Sequence, residues 1–506
     1  MTSLSINRRA GSHRAVLAIC AVAQFMVVLD VSIVNVALPQ MRHDLGLTLT
    51  AQQWVVNAYT LTFAGFLMLG GRAADLFGPR RVFIAGLALF TTASLIGGLA
   101  QSGAWLIAAR AAQGLGGAVL APTSLSLLTS TFTDMTERRR AMGIWSATAA
   151  SGAAAGVLAG GILTDLLGWQ WVLIVNDPIG LAMLITAPRT LPASQAPAER
   201  KRLDVEGAFM ITAGLAVFVY GIIGTATHSW GSTQTVIALA GGIAFLAAAI
   251  VIEARVAVNP LIPLSVFRRR SLCAANGIAV AVGAALFGMY FFVSLYLQEV
   301  VGDSPLRTGL AILPAGAMTL AGALAAPNLV ARIGARRQLM LGPSIAAAGL
   351  VWISFLSYGE SYGTHMLVPL MLFGLGIGLS FVPMTLTATA GVPPNEAGLA
   401  AGLVNTSRQI GGAIGLAVLA TLASSTTHAA HPAGAHAAQT ALTTGYDRAF
   451  LIAGLLLLLG AGLAALIRSN PTNAAAAPAT ARPASTQQPK LDPHASHASL
   501  EPAVRG

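Results

Sequence analysis

Charge is scarce in this chain. Charged residues are 9% of its 506 positions, against about 25% in soluble chains, which excludes a soluble domain of this size. Lysine is scarcer still: the two are Lys201 and Lys490. Neither is followed by Ser or Thr, so the Gly-Lys-Ser/Thr that cradles nucleotide phosphates is missing. An ATP-driven motor is excluded, and any pumping must draw on an ion gradient. The two cysteines, Cys20 and Cys273, lie inside apolar runs; they imply neither a disulfide framework nor a metal-ligand spacing. No histidine falls in the middle of an apolar run, which leaves carboxylates as the candidate proton carriers.

What is abundant is apolar. Hydrophobic residues reach 55%, mean hydropathy is +0.72 and there are 54 glycines, as expected where helices pack closely in lipid. Runs of spanning length are expected near 15–39, 52–74, 81–100, 104–127, 140–164, 171–190, 205–226, 234–254, 272–297, 308–330, 338–357, 364–388, 400–423 and 448–468. The basic start (Arg8, Arg9, Arg14) and the small residues Ala21–Ala23 resemble a leader, but the apolar run continues beyond them, so the first run is expected to be an uncleaved spanner.

The net charge of +11 does not point to nucleic acid, because its basic residues sit in short clusters between apolar runs. Counted alternately, one set of loops and ends receives Arg72, Arg80, Arg81, Arg138, Arg139, Arg140, Arg200, Lys201, Arg202, Arg268, Arg269, Arg270, Arg332, Arg336 and Arg337. The other set receives Arg42, Arg307 and Arg448. By the positive-inside rule both termini are cytoplasmic.

Internal repetition is visible. The loop LFGPRR (Leu76–Arg81) returns as RIGARR (Arg332–Arg337). Gly143, Gly152 and Gly156 return at the same spacing as Gly402, Gly411 and Gly415. The fold expected is an all-α membrane protein of two six-helix bundles with two extra transmembrane helices. Its parts are a cytoplasmic N-terminus 1–14, a first bundle 15–190, a cytoplasmic loop 191–204, two inserted helices 205–254, a basic loop 255–271, a second bundle 272–468 and a disordered cytoplasmic tail 469–506. The histidines of Ser424–Asp447 (His428, His431, His436) are expected in a solvated outer loop.

Asp30 is costly to hold inside a membrane and so marks a functional site with a partner to be found. It lies about nine residues from the outer end of its helix, roughly 13 Å deep. Arg110 lies roughly 10 Å deep from the same side. A carboxylate balanced between a cation and desolvation can load and release a proton; a fixed ion pair between two helices is the alternative. Gln113, Gly114 and Gly117 share the Arg110 face. In Gly71–Arg81, Asp75 with Arg80 or Arg81 can latch onto a neighbouring helix end, unless the arginines only set topology. Gly152, Gly156, Gly160 and Gly161 give a flat packing face. Asp177, before Pro178, is either a second acid in the cavity or a helix N-cap. Asn35, Trp54, Asn57, Tyr59, Gln113, Asn276, Tyr290, Phe291 and Asn405 are candidates to line a substrate cavity, with the aromatics suited to planar cations. Arg408 either snorkels or pairs within the bundle.

These stretches resemble the major facilitator superfamily, specifically its fourteen-helix drug:proton antiporter branch (EmrB/QacA type). LDVSIVNVALP (Leu29–Pro39) resembles the branch's helix-one motif with Asp30 at the acid position. GRAADLFGPRR matches the superfamily loop motif at Gly71, Asp75, Gly78 and Arg80. LIAARAAQGLGGA (Leu106–Ala118) matches the helix-four motif at Arg110, Gln113 and Gly114, and Gly152, Gly156, Gly160 and Gly161 match the antiporter motif. Val157 stands where that motif has proline. Leu76 and Pro79 replace basic residues, Gln170 replaces an Arg, and Asp177 takes an apolar position. The resemblance implies a proton-driven multidrug exporter, not an enzyme, working by alternating access as a monomer in a bacterial cytoplasmic membrane. Its partners would be small drug-like molecules, protons and the bilayer, with no cofactor and no metal. A dedicated exporter of an endogenous antibiotic is the alternative; a nutrient symporter or a non-transporting sensor fits less of the pattern.

Overall fold

Runs this apolar can satisfy their backbone groups in lipid only as helices, and helices are what form. The computed structural model describes residues 2–192, 205–225, 228–255, 269–355, 362–393, 397–430 and 434–467. In chain order the helices are α1 (Thr2–Asp44), α2 (Leu49–Phe77), α3 (Pro79–Gly98), α4 (Gly103–Thr131), α5 (Met135–Leu167) and α6 (Gln170–Thr190, with a turn at Val175). There follow α7 (Val205–Gly224), α8 (Thr233–Arg255), α9 (Arg270–Leu295, extended by a π-helical turn Tyr296–Val301) and α10 (Pro305–Ile333). The last four are α11 (Ala335–Ile353), α12 (Val368–Thr389), α13 (Ala397–Ala429) and α14 (Ala435–Ala465). Thirteen of these are long and apolar enough to cross a membrane; α11, with Arg336, Arg337 and Gln338 in its first turn, is the fourteenth rod. The protein is a multi-pass membrane protein with no strand among the described residues.

The helices pack as two copies of one unit. In the first, α1 lies on α5, α2 on α4, and α3 on α4 and α6; in the second, α9 lies on α13, α10 on α12, and α11 on α12 and α14. The inserted pair α7–α8 docks through α7 on α2 and α13. Local signals repeat with the packing. Thr48 caps α2 by accepting from the Ala51 N–H, and Ser304 caps α10 by accepting from the Arg307 N–H. Gly78 (φ 88°) and Gly334 (φ 82°) end α2 and α10 in a backbone conformation that side chains resist. The repeated loop arginines do the same work in each copy. Arg80 donates to the Pro188 carbonyl at the end of α6, and Arg336 donates to the Ala465 carbonyl at the end of α14, at 2.6 Å. A cation at a helix C-terminus satisfies orphan carbonyls and opposes the helix dipole.

Proline inside these helices supplies anchor points. It lacks an N–H, so the carbonyl four residues earlier is released. Pro39 releases Asn35 O, which accepts from Ser294 Oγ of α9 at 2.9 Å. Pro383 releases Leu379 O, which accepts from Gln338 Nε2 of α11 at 2.9 Å. With the freed carbonyl satisfied from α9, the first helix continues through Pro39, its expected end, to Asp44.

One expected loop is helical. Ser424–Asp447 belongs mostly to α13, which runs to Ala429, and α14, which starts at Ala435. The stretch looks polar because of its threonines. Their hydroxyls turn back onto their own helix: Thr426 to Leu422 O, Thr427 to Ala423 O, Thr440 to His436 O and Thr443 to Gln439 O. His431 lies outside the described residues, as do Arg200, Lys201, Arg202, Arg268 and the tail 469–506. Most of the loops 191–204 and 255–271 lies outside them too.

Candidate functional site

The site is built where four helices of the first bundle meet α1 around Asp30. Asp30 is 0% exposed and Arg110 2%. Arg110 Nη1 donates to Asp30 Oδ2 at 2.6 Å and to Gln113 Oε1 at 2.7 Å. Gln113 Nε2 donates to Asp30 Oδ1 at 2.7 Å and to Ser94 Oγ at 3.0 Å. From α6, Asn176 Nδ2 reaches Asp30 Oδ1 and Ser94 Oγ, each at 3.2 Å. Ser94 in turn donates to Leu173 O at 2.8 Å. From α2, Val55 O accepts from Arg110 Nε at 3.3 Å, and the Tyr59 ring lies 4.3 Å from the guanidinium carbon. A buried ion pair is tolerable only with this degree of hydrogen bonding.

Glycine makes the approach possible. A Cβ on Gly114 would lie 2.3 Å from Tyr59 O, and one on Gly117 3.0 Å from the Tyr59 hydroxyl. Bare backbone at these positions lets α2 come close enough for Val55 and Tyr59 to meet Arg110. On the other side α5 lies against α1 through Gly152, Gly156 and Gly160. Added Cβ atoms there would come 3.0 Å from Phe25 O, 2.8 Å from Leu29 O and 2.6 Å from Ile33 O. Gly161 turns elsewhere: its Cβ would meet Pro305 O of the second bundle at 2.6 Å. Val157, at the position of the motif proline, is buried, and Gly309 of α10 sits against its carbonyl.

The loops after even-numbered helices hold the arginine clusters; theirs is the basic end of the molecule. At the opposite end the two bundles are tied together. Ser294 donates to Asn35 O, Gln298 Nε2 donates to Val36 O at 2.9 Å, and Arg42 pairs with Glu299 at 3.0 Å. Asp44, Asp165 and Asp303 surround a shallow cleft of about 400 Å³ on that seam. At the basic end, Asp75 is exposed and makes no hydrogen bond or ion pair among the described residues, Gly71 packs loosely on Pro122, and Arg81 is exposed.

Asp177 is buried one position from Asn176, yet neither of its carboxylate oxygens has a protein partner. It is not an N-cap: Val175 precedes that segment and the helical path continues through it from Gln170–Ile174. Nor is it joined to the Asp30 network. Among the cavity candidates, Tyr59 is committed to Arg110, and Asn35 Nδ2 donates to Val31 O of its own helix. Phe291 packs edge-on to Phe292 in the core beside buried Tyr290. Trp54 leans on the apolar cluster between α2, α7 and α13. Asn57 is fully buried with both amide atoms unpartnered by protein. In the second bundle Asn276 Oδ1 accepts from Ser407 Oγ at 2.7 Å, while Asn405 Oδ1 accepts from Arg408 Nη2 at 2.6 Å.

Two residues of the network, Ser94 and Asn176, are not evident from sequence reasoning. Each is a small polar residue in an apolar run. The available signal is depth: both sit within a turn or two of the same helix ends as Arg110.

Comparison with known proteins agrees with this architecture. Residues 20–416 match the Major Facilitator Superfamily. The chain is 43% identical to the cephamycin export protein CmcT of Amycolatopsis lactamdurans, over 90% of this chain and 93% of that protein. It is 40% identical to the puromycin resistance protein pur8 of Streptomyces alboniger, over 91% and 92%. Among solved structures, the inward-facing bacterial homologue of the human lysosomal transporter Spinster superposes with a TM-score of 0.64 at 16% identity, covering 90% of this chain and 96% of that one. The chain is therefore a member of the Major Facilitator Superfamily.

Proposed function

We propose that this protein exports lipophilic small molecules of the antibiotic class in exchange for protons, with Asp30 as the proton site. The observation that carries the reading is the buried Asp30–Arg110–Gln113 cluster. Protonating Asp30 removes the charge that Arg110 faces. An isolated buried guanidinium would be prohibitively costly, but Gln113 Oε1, Val55 O and the Tyr59 ring already hold this one. The cation therefore has substitutes when the acid is neutralised, and the proton can load without stranding it. Loading weakens the ties from Asp30 to Gln113 on α4 and to Asn176 on α6, and so frees α1 to shift against its own bundle.

Alternating access follows from the two-bundle frame. The tied seam at the opposite end and the unlatched Asp75 at the basic end suit a cavity open toward the basic end. In this reading the basic end is cytoplasmic, both termini lie there, and the membrane is the bacterial cytoplasmic membrane. The chain acts without cofactor, as a monomer, and catalyses no covalent chemistry. The names of the relatives, a cephamycin export protein and a puromycin resistance protein, support antibiotic-class cargo. They also support a second reading, dedicated export of one endogenous antibiotic.

The test is transport in inverted vesicles with an imposed proton gradient. Uptake of a lipophilic dye that rises with the gradient and collapses with a protonophore supports the proposal. Uptake indifferent to the gradient overturns it.

A further inference from the structure

The second bundle holds a half-buried cation deep along its length, with no ion-pair partner among the described residues. Arg408 sits on α13, and its carbonyl oxygen is level with Gly283, where an added Cβ would meet it at 1.9 Å. That places the residue about 20 Å along α9 from Arg270, well inside a bilayer core of about 30 Å. Its guanidinium lies 5.5 Å from the Phe381 ring of α12, and one of its nitrogens donates to Asn405 Oδ1.

No carboxylate among the described residues pairs with it. None is close at hand: α9 to its end at Leu295, α10, α11, α12 and α13 contain no Asp or Glu, Asp75 and Glu206 lie in the terminal turns of α2 and α7, and Asp447 of α14 lies near Ala423, about 20 Å along α13 from Arg408. Glu299 is taken by Arg42 and Asp30 by Arg110. Asp177 belongs to α6, which packs on α1, α3 and α5 of the other bundle. The neighbour Ser407 is turned the other way, braced on Asn276 of α9. Arg408 is half-buried, and none of its nitrogens is among the fully buried atoms without a hydrogen-bond partner.

An arginine that deep is expensive unless an anion or a polar cavity meets it. A guanidinium offers five donors in a planar fork that matches a carboxylate. Here the ring of Phe381 supports one face of the plane, and Asn405 engages one edge. We infer that Arg408 and Asn405 form an anion subsite on the translocation path, which takes the carboxylate of a lipophilic small-molecule substrate. The inference rests on the export reading and narrows it, since the same cavity then favours acids over cations.

A matched pair of dyes tests this: 7-diethylaminocoumarin-3-carboxylic acid and its methyl ester, titrated by fluorescence anisotropy onto the purified chain in uncharged micelles. The expected result is at least tenfold tighter binding of the acid. Arg408→Gln should bring the acid to the ester's affinity, and Arg408→Lys, which keeps the charge without the fork, should fall between. If Arg408→Gln fails to fold by thermal melting, Arg408→Lys decides alone: an unchanged preference for the acid overturns the subsite. Anionic lipid is the other source of such a group. Added phosphatidylglycerol should leave the acid's affinity unchanged; displacement of the acid by that lipid overturns the assignment to substrate. Equal binding of acid and ester, with proton-driven dye transport intact, overturns the subsite alone. Absence of proton-driven transport of either dye overturns the export reading itself.

Discussion

In the first bundle Thr48 caps α2, Gly78 ends it and Arg80 closes the end of α6; in the second Ser304, Gly334 and Arg336 do the same for α10 and α14. The frames match, and the buried polar groups do not. The first bundle pairs an acid with a base and hydrogen-bonds the two across four helices, α1, α2, α4 and α6. The second holds a half-buried arginine on α13 with no carboxylate paired to it among the described residues. On the proposed reading, duplicated scaffolding carries two different electrostatic tasks: the balanced pair is switched by a proton, and the unbalanced cation takes an anion from outside the chain.

The sharpest way to break this comparison is to remove the charge on each side. Arg110→Ala strands Asp30 and should cost about 3–5 kcal/mol of stability, with transport lost by at least a hundredfold; thermal melting and vesicle uptake measure both. Loss of transport with unchanged melting would mean the network is not the mechanical tie proposed.

The next effect tests whether the packing repeat is energetic as well as geometric. Gly156→Ala places a Cβ 2.8 Å from Leu29 O, and Gly415→Ala places one 2.2 Å from the Ala284 side chain. Each overpacking should cost about 1–3 kcal/mol, read as a fall in melting temperature. If Gly415→Ala is neutral while Gly156→Ala is not, the two interfaces are alike in shape only.

Smaller still is the seam. Ser294→Ala removes the donor to Asn35 O and should cost about 1 kcal/mol. That bond ties α1 to α9 across the seam, so under the alternating-access proposal its loss should shift the population toward opening there, seen as faster labelling of a cysteine placed at Val36. Unchanged labelling would detach Ser294 from the gate.

The smallest effect separates capping from latching. Arg80→Gln and Arg336→Gln each remove a helix-end cation, worth about 0.3–1 kcal/mol, and should lower the melting temperature equally. A much larger transport loss for Arg80→Gln alone would show that the first loop has a latch role beyond its cap.

The helices were legible because apolar run length alone dictates them, and arginine asymmetry kept their count in phase. Asp30 and Arg110 were legible because a charge in such a run is rare, and their similar depth paired them. Ser94 and Asn176 were not, since small polar residues are ordinary in membrane helices and only three-dimensional proximity distinguishes these two. The ties of Ser294 and Gln298 to α1 are hidden for another reason: their acceptors are backbone carbonyls, and only Pro39 hints that Asn35 O is free. The segment Ser424–Asp447 is polar in sequence and so suggests exposure, whereas threonine hydroxyls bonded to their own helix make polar residues compatible with it.

The central claim, that the first bundle handles the proton and the second the cargo, is tested most directly by proton release. A pH-indicator dye in weakly buffered micelles reports protons freed when saturating coumarin acid is added to the purified chain. The account predicts release from the wild type and from Arg408→Gln at saturation, and none from Asp30→Asn. Undiminished release from Asp30→Asn, with the acid still bound, would contradict it.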